Sequence, residues 1–192
     1  MSDWKILSSG SVIALAGRRI DADGTDPPRF PLEQVSAVRR RLAEALRQEH
    51  AMAVVCSAAC GADLVALAEA ERLGLRRRIV LPFPPGRFRE TSVVDRPGDW
   101  GPVFDRLIEA AKIVGDLVVI GDGAYGGGSA YAAANEAIVR EAQAIARPGG
   151  ASRRLIALLV WEGSARSEGD AAVGFRILAE SAGFEIRNLP KL

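Results

Sequence analysis

The sequence has few of the residues that build metal sites and disulfide frameworks. Its 192 residues include two cysteines, Cys56 and Cys60, and a single histidine, His50. A structural zinc site normally takes four Cys or His ligands, and a disulfide framework needs more than one pair of cysteines. We therefore expect no metal site and no disulfide framework. We expect both cysteines to be buried thiols in a reducing cytoplasm.

The sequence also lacks an excess of charge of one sign. The 25 basic residues nearly balance the 24 acidic residues, and the formal net charge is +1. This balance gives no general electrostatic reason to expect a nucleic acid or a membrane surface as partner. No apolar run approaches the length of a membrane span, and the start of the chain lacks the regions of a signal peptide. We expect a cytoplasmic protein with one domain over residues 1–192.

Short apolar runs alternate with amphipathic helical patterns along the chain. The strands predicted from apolar runs are 11–16, 53–56, 79–81, 117–120, 155–161 and 184–189. The helices predicted from spacings of three and four are 31–50, a helix opening at 61–63, 99–112, 129–146 and 170–182. This order predicts an α/β fold with a doubly wound, mostly parallel sheet and helices on both faces. The run 155–161 is apolar on both sides, which indicates a central strand, and 184–189 is expected at an edge.

The stretch from 53 to 83 contains the clearest indication of a binding site. One predicted strand stops before Ser57, a helix opens at Gly61 and Asp63, and the next strand ends at Pro82. In a parallel pair, strand ends and helix starts share one edge of the sheet. Small residues let a ligand approach the backbone there, and the unpaired N–H groups of a helix start favour an anion such as phosphate. Tight packing is an equally good explanation of the small residues, and Asp63 could instead cap its helix.

Two arginines follow the first predicted strand, in the run Gly17-Arg18-Arg19. A guanidinium group can hold phosphate through two parallel hydrogen bonds. Gly17 and Arg18 are therefore candidate ligand contacts. The alternative is a solvated basic pair in a loop.

The segment 84–98 is rich in proline and glycine and is predicted to be a long loop. It leaves from the same edge of the sheet as the Gly61 turn, and loops of this length are often functional. We expect it to fold over a bound ligand, with Phe88 able to stack on a flat ring and Ser92 able to hold phosphate.

A glycine-rich segment at 121–129 precedes the helix that carries Tyr131 and Asn135. Its glycines lack the G-x-G-x-x-G spacing of a dinucleotide site, so we interpret the segment as a mobile connector and expect no cofactor. Tyr131 and Asn135 are four residues apart near the helix start, which indicates a shared face and suggests ligand contact. The alternative is that Tyr131 packs in the core and Asn135 is solvated.

Six motifs, taken in order, resemble one superfamily. They are Gly17-Arg18, S-x-x-C-G-A-D at 57–63, L-P-F at 81–83, F-x-x-x-S-V at 88–93, Tyr131 with Asn135, and W-E-G at 161–163. Together they resemble the SLOG superfamily, a Rossmann-like group that includes the LOG cytokinin-activating enzymes, the DNA-processing protein DprA and sensor domains of bacterial conflict systems.

The resemblance implies a single SLOG-like domain with a nucleotide-binding pocket at the carboxyl edge of the sheet. It also implies a homodimer, and an effector protein as a further partner. The ligand-binding residues predicted in this way are Gly17, Arg18, Ser57, Gly61, Asp63, Pro82, Phe88, Ser92, Tyr131, Asn135, Glu162 and Gly163.

The chain departs from the LOG enzymes after the predicted strand 155–161. Those enzymes carry P-G-G-x-G-T-x-x-E there, whereas this chain reads G-S-A-R-S-E-G-D-A-A-V, with Gly169 alone at the glycine cluster and no following glutamate at the expected spacing. A hydrolase of that type would lack its main acid-base group, which leaves Asp63 and Glu162 as candidate catalytic residues. We therefore expect a sensor or signalling domain for a nucleotide-derived molecule. The alternative is a nucleoside monophosphate phosphoribohydrolase or N-glycosidase. Single-stranded DNA binding is least favoured, because no basic and aromatic track is visible.

Overall fold

The computed structural model describes residues 10–121, 128–147, 153–165 and 170–189. Within these ranges, six strands form one sheet in the order β4-β3-β2-β1-β5-β6, and their pairings are parallel. The strands are β1 (Ser11–Gly17), β2 (Ala51–Cys56), β3 (Arg76–Leu81), β4 (Leu117–Val119), β5 (Arg154–Val160) and β6 (Glu185–Asn188). The predicted doubly wound parallel sheet is confirmed, with β5 in the interior and β6 at an edge.

Helices cover both faces of this sheet. They are α1 (Val35–Gln48), α2 (Ala62–Arg72), α3 (Pro85–Ser92), α4 (Gly101–Ile113), α5 (Gly128–Ala146) and α6 (Ala171–Ser181). One apolar cluster joins Ile13 and Leu15 to α1, α2, α3 and α4. A second cluster joins Val12 and Ala14 to α5 and α6. Alternate residues of β1 therefore enter opposite cores, which explains why the strand is apolar along both faces.

The strand order reverses beside β1. The chain runs from β1 outward through β2, β3 and β4, and then crosses back to place β5 on the other side of β1. β1 and β5 pair along the whole of Ser11–Gly17 with Arg154–Val160. In open α/β sheets, ligands bind at the carboxyl ends of the strands where the order reverses. The fold thus places its natural crevice above the ends of β1 and β5.

The predicted loop at 84–98 is wrong over its first half, because α3 occupies Pro85–Ser92. Pro85 is the first residue of this helix, where proline needs no N–H partner and its fixed φ angle suits the helix. The proline and glycine content therefore indicates a helix start here and not a loop. Most of the glycine-rich segment 121–129 lies outside the described residues, and its interpretation as a connector stays a prediction.

No helix in the described ranges is both long enough and apolar enough to cross a membrane.

Candidate ligand-binding site

A cavity of about 360 Å³ lies at the carboxyl edge of the sheet. Its walls come from the end of β1, the turn between β2 and α2, α3, and the first turns of α5 and α6. Several predicted ligand-binding residues line it. They are Gly17, Arg18, Ser57, Asp63, Phe88, Ser92, Tyr131 and Asn135. Residues from five separate parts of the chain thus meet at the reversal point of the sheet.

The remaining predicted ligand-binding residues, Gly61, Pro82, Glu162 and Gly163, are not among those that line the cavity. Gly61 lies in the turn before α2, next to the cavity wall. Its φ of +105° is a conformation that L side chains rarely adopt, so the turn requires glycine here. A Cβ atom there would lie 2.7 Å from the carbonyl oxygen of Arg18. Ligand contact by these four residues stays a prediction.

Gly17 is required where β1 meets the start of α2. A Cβ atom at this position would lie 2.4 Å from the Cβ of Ala62 and 2.8 Å from the Cβ of Val160. The absence of a side chain therefore lets the strand end and the helix start touch, and this contact closes the floor of the cavity.

Arg18 is buried, with 5% of its surface exposed, and all three nitrogens of its guanidinium group donate hydrogen bonds. Nε and Nη2 donate to the Glu162 carboxylate at 2.8 and 2.9 Å, and Nη1 donates to both carboxylate oxygens of Asp170 at 2.9 and 2.7 Å. Nη2 also donates to the carbonyl oxygen of Ser164 at 2.7 Å. These bonds engage all three guanidinium nitrogens and leave at most one N–H group of Nη1 for phosphate, because the two oxygens of Asp170 share one hydrogen. Arg18 instead ties the end of β1 to the end of β5 and the start of α6.

Glu162 is held as a carboxylate behind this wall. It accepts hydrogen bonds from Arg18 and from Arg29 Nη1. Burial opposes its ionisation, but the hydrogen bonds from Arg18 and the positive charges of Arg18 and Arg29 outweigh burial and lower its pKa. A carboxylate in this state has no proton to donate near neutral pH, and two cations occupy its oxygens. This arrangement suits a positioning residue better than a general acid.

Arg19 lines the cavity and has an unused donor. Its Nη2 donates to Asp95 and, at 3.7 Å, to the sulfur of Cys60. Its Nε is buried and has no hydrogen-bond partner among the described residues. A buried donor without a partner is unfavourable by about 1–3 kcal/mol, so an acceptor atom brought there by a ligand would be bound well. The Gly17-Arg18 motif predicted Arg18 as the ligand contact instead. The alternation of side chains along a strand shows that two adjacent arginines diverge, but it does not show which of them has the free donor.

Asp63 is a buried carboxyl group in the cavity wall. Its Oδ2 accepts a hydrogen bond from the N–H of Ala59 at 3.2 Å, so it closes the turn before α2 and does not cap that helix. Burial raises the pKa of Asp63 to about 7, although the Ala59 N–H and the charge of Arg19 act against this rise. Near neutral pH the group can both donate and accept a proton.

The backbone of the turn before α2 is largely satisfied by the protein itself. The N–H of Cys60 donates to the carbonyl oxygen of Ser92 at 3.0 Å, and that of Ala62 donates to the carbonyl oxygen of Arg18 at 3.1 Å. The N–H of Leu64 donates back to Ala59 at 3.3 Å. The sequence pattern predicts that N–H groups at this helix start would bind phosphate. An anion in this cavity would therefore be held mainly by side chains.

Polar side chains on the other walls complete the site. The Ser57 hydroxyl is buried and has no hydrogen-bond partner among the described residues. The Tyr131 hydroxyl lies 3.1 Å from the Ser92 hydroxyl, and the Asn135 amide donates to the carbonyl oxygen of Ala171 at 2.9 Å. Hydroxyl and amide groups that face one cavity can bind sugar hydroxyls or base edges.

Phe88 is a core residue and not part of a mobile cover. It is 1% exposed, and its ring stacks on Phe104 with 6.1 Å between ring centroids. The predicted stacking of Phe88 on a ligand ring would require the α3–α4 contact to open. The two cysteines are buried free thiols, as predicted, and burial raises the pKa of both.

The strand order and the position of the cavity define a Rossmann-like α/β protein with its crevice at the reversal point of the sheet. The sequence matches no family model. It matches no curated protein either.

One solved structure similar to this fold is the X-ray structure of DNA processing protein A (DprA) from Streptococcus pneumoniae. The TM-score is 0.43, the sequence identity is 14%, and the alignment covers 93% of this chain and 58% of that one. The chain thus spans less than two thirds of the length of that protein. A similarity at this level says nothing about ligand or activity.

Proposed function

We propose that this protein binds a nucleotide or nucleotide-derived small molecule in the cavity at the carboxyl edge of the sheet and acts as a sensor of it. The observation that carries the proposal is a pair of buried polar atoms, Arg19 Nε and Ser57 Oγ, that belong to cavity-lining residues and have no partner among the described residues. Both atoms can donate a hydrogen bond to a phosphate oxygen, and a guanidinium group is the side chain best suited to that task. The cavity volume lies within the range of small-molecule sites.

The proposed orientation of the ligand follows from the placement of these groups. The phosphate lies toward Arg19 and Ser57. The sugar and base extend toward α5, where Tyr131 and Asn135 provide a hydroxyl and an amide. Buried anions are stable only beside a cation or several donors, and Arg19 lines this cavity with a buried nitrogen that has no partner among the described residues.

A sensor is preferred to an enzyme because only one of the two candidate catalytic residues, Asp63, lines the cavity. Hydrolysis of a glycosidic bond in a nucleotide needs an acid or base close to the reacting atom. Glu162 is paired with two arginines and does not line the cavity, which leaves Asp63 alone. We further propose that the ligand signal passes to a second copy of the chain or to an effector protein.

The test is a thermal-shift and calorimetric screen of the full chain against nucleoside monophosphates, cyclic nucleotides and NAD-derived molecules. A ligand at 100 times its dissociation constant stabilises the fold by about 2.7 kcal/mol, which gives a clear rise in melting temperature. The rise should be lost in Arg19→Gln. It should persist in Arg89→Gln, which removes another arginine whose partner, Asp105, is an exposed aspartate outside the cavity. A panel without a stabilising nucleotide, or a hit that Arg19→Gln leaves intact, contradicts the proposal.

Asp63 supports a second candidate function, an N-glycosidase. It lines the cavity, and its pKa near 7 lets it donate a proton to a departing base. Chromatography of the binding mixtures distinguishes the two functions. Release of free base by the wild type, and none by Asp63→Asn, would establish the enzyme. Recovery of the intact nucleotide from a stoichiometric complex would establish the sensor.

A further inference from the structure

We propose that Asp95 is the resting counter-ion of Arg19, and that the anionic group of the ligand displaces it onto Arg96. This inference rests on the proposed binding function and adds a residue that determines how tightly the cavity holds an anion. It predicts two arrangements of Arg19, Asp95 and Arg96, one without ligand and one with it.

The first arrangement is the one that the structure describes. Asp95 lies in the turn that follows α3, and its Oδ1 accepts a hydrogen bond from Arg19 Nη2. The side chains of Arg19 and Asp95 are 27% and 32% exposed. An ion pair that water reaches to this degree contributes little to stability, so exchange of its carboxylate for another anion is easy. Asp95 thus neutralises the charge of the guanidinium group to which the ligand would bind, while Nε of that group keeps no partner among the described residues.

The second arrangement uses the other oxygen of Asp95. Its Oδ2 lies 3.6 Å from Arg96 Nε, which is too long for a hydrogen bond but close enough for ionic attraction. Arg96 Nε is buried and has no hydrogen-bond partner among the described residues, as is also true of Arg19 Nε. A small movement of Asp95 would give Arg96 Nε an acceptor. The displaced carboxylate would therefore keep a cationic partner, and the ligand would not have to leave a charge unpaired.

Movement of Asp95 would also transmit ligand binding from the cavity to the surface of the protein. Asp95 and Arg96 belong to the segment that joins α3 to α4, and Trp100 anchors the end of this segment through a 2.8 Å hydrogen bond from its Nε1 to the carbonyl oxygen of Pro97. Val94, beside Asp95, is 45% exposed. Movement of Asp95 would alter a surface that a partner can contact, which is what a sensor needs.

The experiment measures binding of adenosine monophosphate and of inorganic phosphate to the full chain by calorimetry at low ionic strength. We expect Asp95→Asn to bind adenosine monophosphate about threefold more tightly than the wild type, because the competing charge is removed. Asp105→Asn is the matched control. It makes the same change of charge beside Arg89, another exposed pair, and should leave affinity unchanged.

Arg96→Gln tests the second half of the proposal. It should weaken binding about threefold in the wild-type background, because the displaced carboxylate loses its new partner, and should have no effect in the Asp95→Asn background. Equal effects in the two backgrounds would overturn the displacement step, since Arg96 would then act on the ligand directly.

The outcomes separate this inference from the proposed function. If the wild type binds, Arg19→Gln does not, and Asp95→Asn binds no more tightly than the wild type, the counter-ion role is wrong while the binding function stands. If neither the wild type nor Asp95→Asn binds either probe or any nucleotide of the panel at millimolar concentration, both proposals fail.

Discussion

Arg18 and Arg19 follow one another at the end of β1 and have opposite surroundings. Arg18 is 5% exposed, and two carboxylates and a backbone carbonyl occupy its donors. Arg19 is about a quarter exposed, pairs with one carboxylate at the surface, and keeps a buried Nε without a partner among the described residues. The difference shows how one residue type can hold two parts of a fold together at one position and keep an unpaired donor in a cavity wall at the next.

The cause of this difference is the location of the acidic partners. Glu162 and Asp170 flank the crossover from β5 to α6, and they reach Arg18 from the other side of the sheet reversal. Asp170 also accepts a hydrogen bond from the N–H of Ala172, so it caps α6 while it binds Arg18. A buried pair whose partners all depend on one another is costly to break, whereas an exposed pair is not.

The largest expected effect is the loss of stability in Arg18→Ala. Removal of this side chain breaks the buried ion pair with Asp170, and we expect a loss of about 3–5 kcal/mol in the free energy of unfolding. Arg19→Ala should lose less than about 1 kcal/mol. Urea denaturation of both variants and of Arg89→Ala, an exposed control, measures the contrast. Similar losses for Arg18 and Arg19 would remove the basis of the comparison.

The next effect concerns Gly17, the last residue of β1, which directly precedes the two arginines. Gly17→Ala would press a methyl group against Ala62 and Val160, at distances shorter than van der Waals contact. We expect a loss of about 2–3 kcal/mol in the free energy of unfolding. Gly86→Ala is the matched control, because a Cβ atom there meets nothing within 4 Å and lies in the first turn of α3. If Gly17→Ala is as stable as the control, the contact of β1 with α2 is looser than described.

Asp63 interacts electrostatically with Arg19, and it should make the free energy of unfolding depend on pH. Its pKa rises from an ordinary value of 3.8 to about 7 on folding. Between these values the unfolded chain loses this proton and the folded chain keeps it, so the contribution of Asp63 to stability is lost as pH rises through the folded pKa. Relative to Asp63→Asn, the wild type should lose about 2 kcal/mol between pH 5 and pH 6.5.

Denaturation curves of both proteins across this range measure the effect. Carboxylates with lowered pKa values, such as Glu162 and Asp116, change stability in the opposite direction but are present in both proteins and cancel. A difference between wild type and variant that stays constant with pH would show that Asp63 ionises normally.

The smallest expected effect is on ligand binding. Ionised Asp63 offsets part of the charge of Arg19, so an anion should bind about threefold more weakly at pH 8 than at pH 6. A cyclic nucleotide is the suitable probe, because its phosphodiester does not titrate in this range. The other titratable group coupled to Asp63 is the Cys56 thiol, whose pKa burial raises. Calorimetry should find no pH effect in Asp63→Asn, and a persistent effect there would point to a different group.

Much of the fold follows from local patterns. The apolar runs predict all six described strands, and their alternation with amphipathic segments predicts the parallel sheet. The helix α3 was missed because its proline and glycine content is typical of a loop, whereas Pro85 starts the helix. The edge of the sheet on which Ser57, Asp63 and Tyr131 meet was also predictable, because strand ends of a parallel sheet share one side.

The different hydrogen bonding of Arg18 and Arg19 could not be predicted from the sequence. It depends on hydrogen bonds from Arg18 to residues 144 and 152 positions away, and no local pattern encodes such a contact. The pKa of Asp63 was equally hidden, because it results from burial by distant elements and not from its neighbours in sequence. Local sequence patterns thus predict where the crevice lies. Tertiary contacts determine which of its side chains have hydrogen-bond partners and how their pKa values shift.

The pairing of β1 with β5 has a consequence for synthesis of the protein. When residues up to about 120 have left the ribosome, β1 to β4 can assemble, but one edge of β1 has no neighbour and both acidic partners of Arg18 are still missing. Such long-range strand pairing is slow, and an open strand edge favours association with other chains. The nascent chain therefore exposes an aggregation-prone edge until β5 emerges, and the wall of the cavity that Arg18, Glu162 and Asp170 hold together forms only after β5 and the start of α6 have been made.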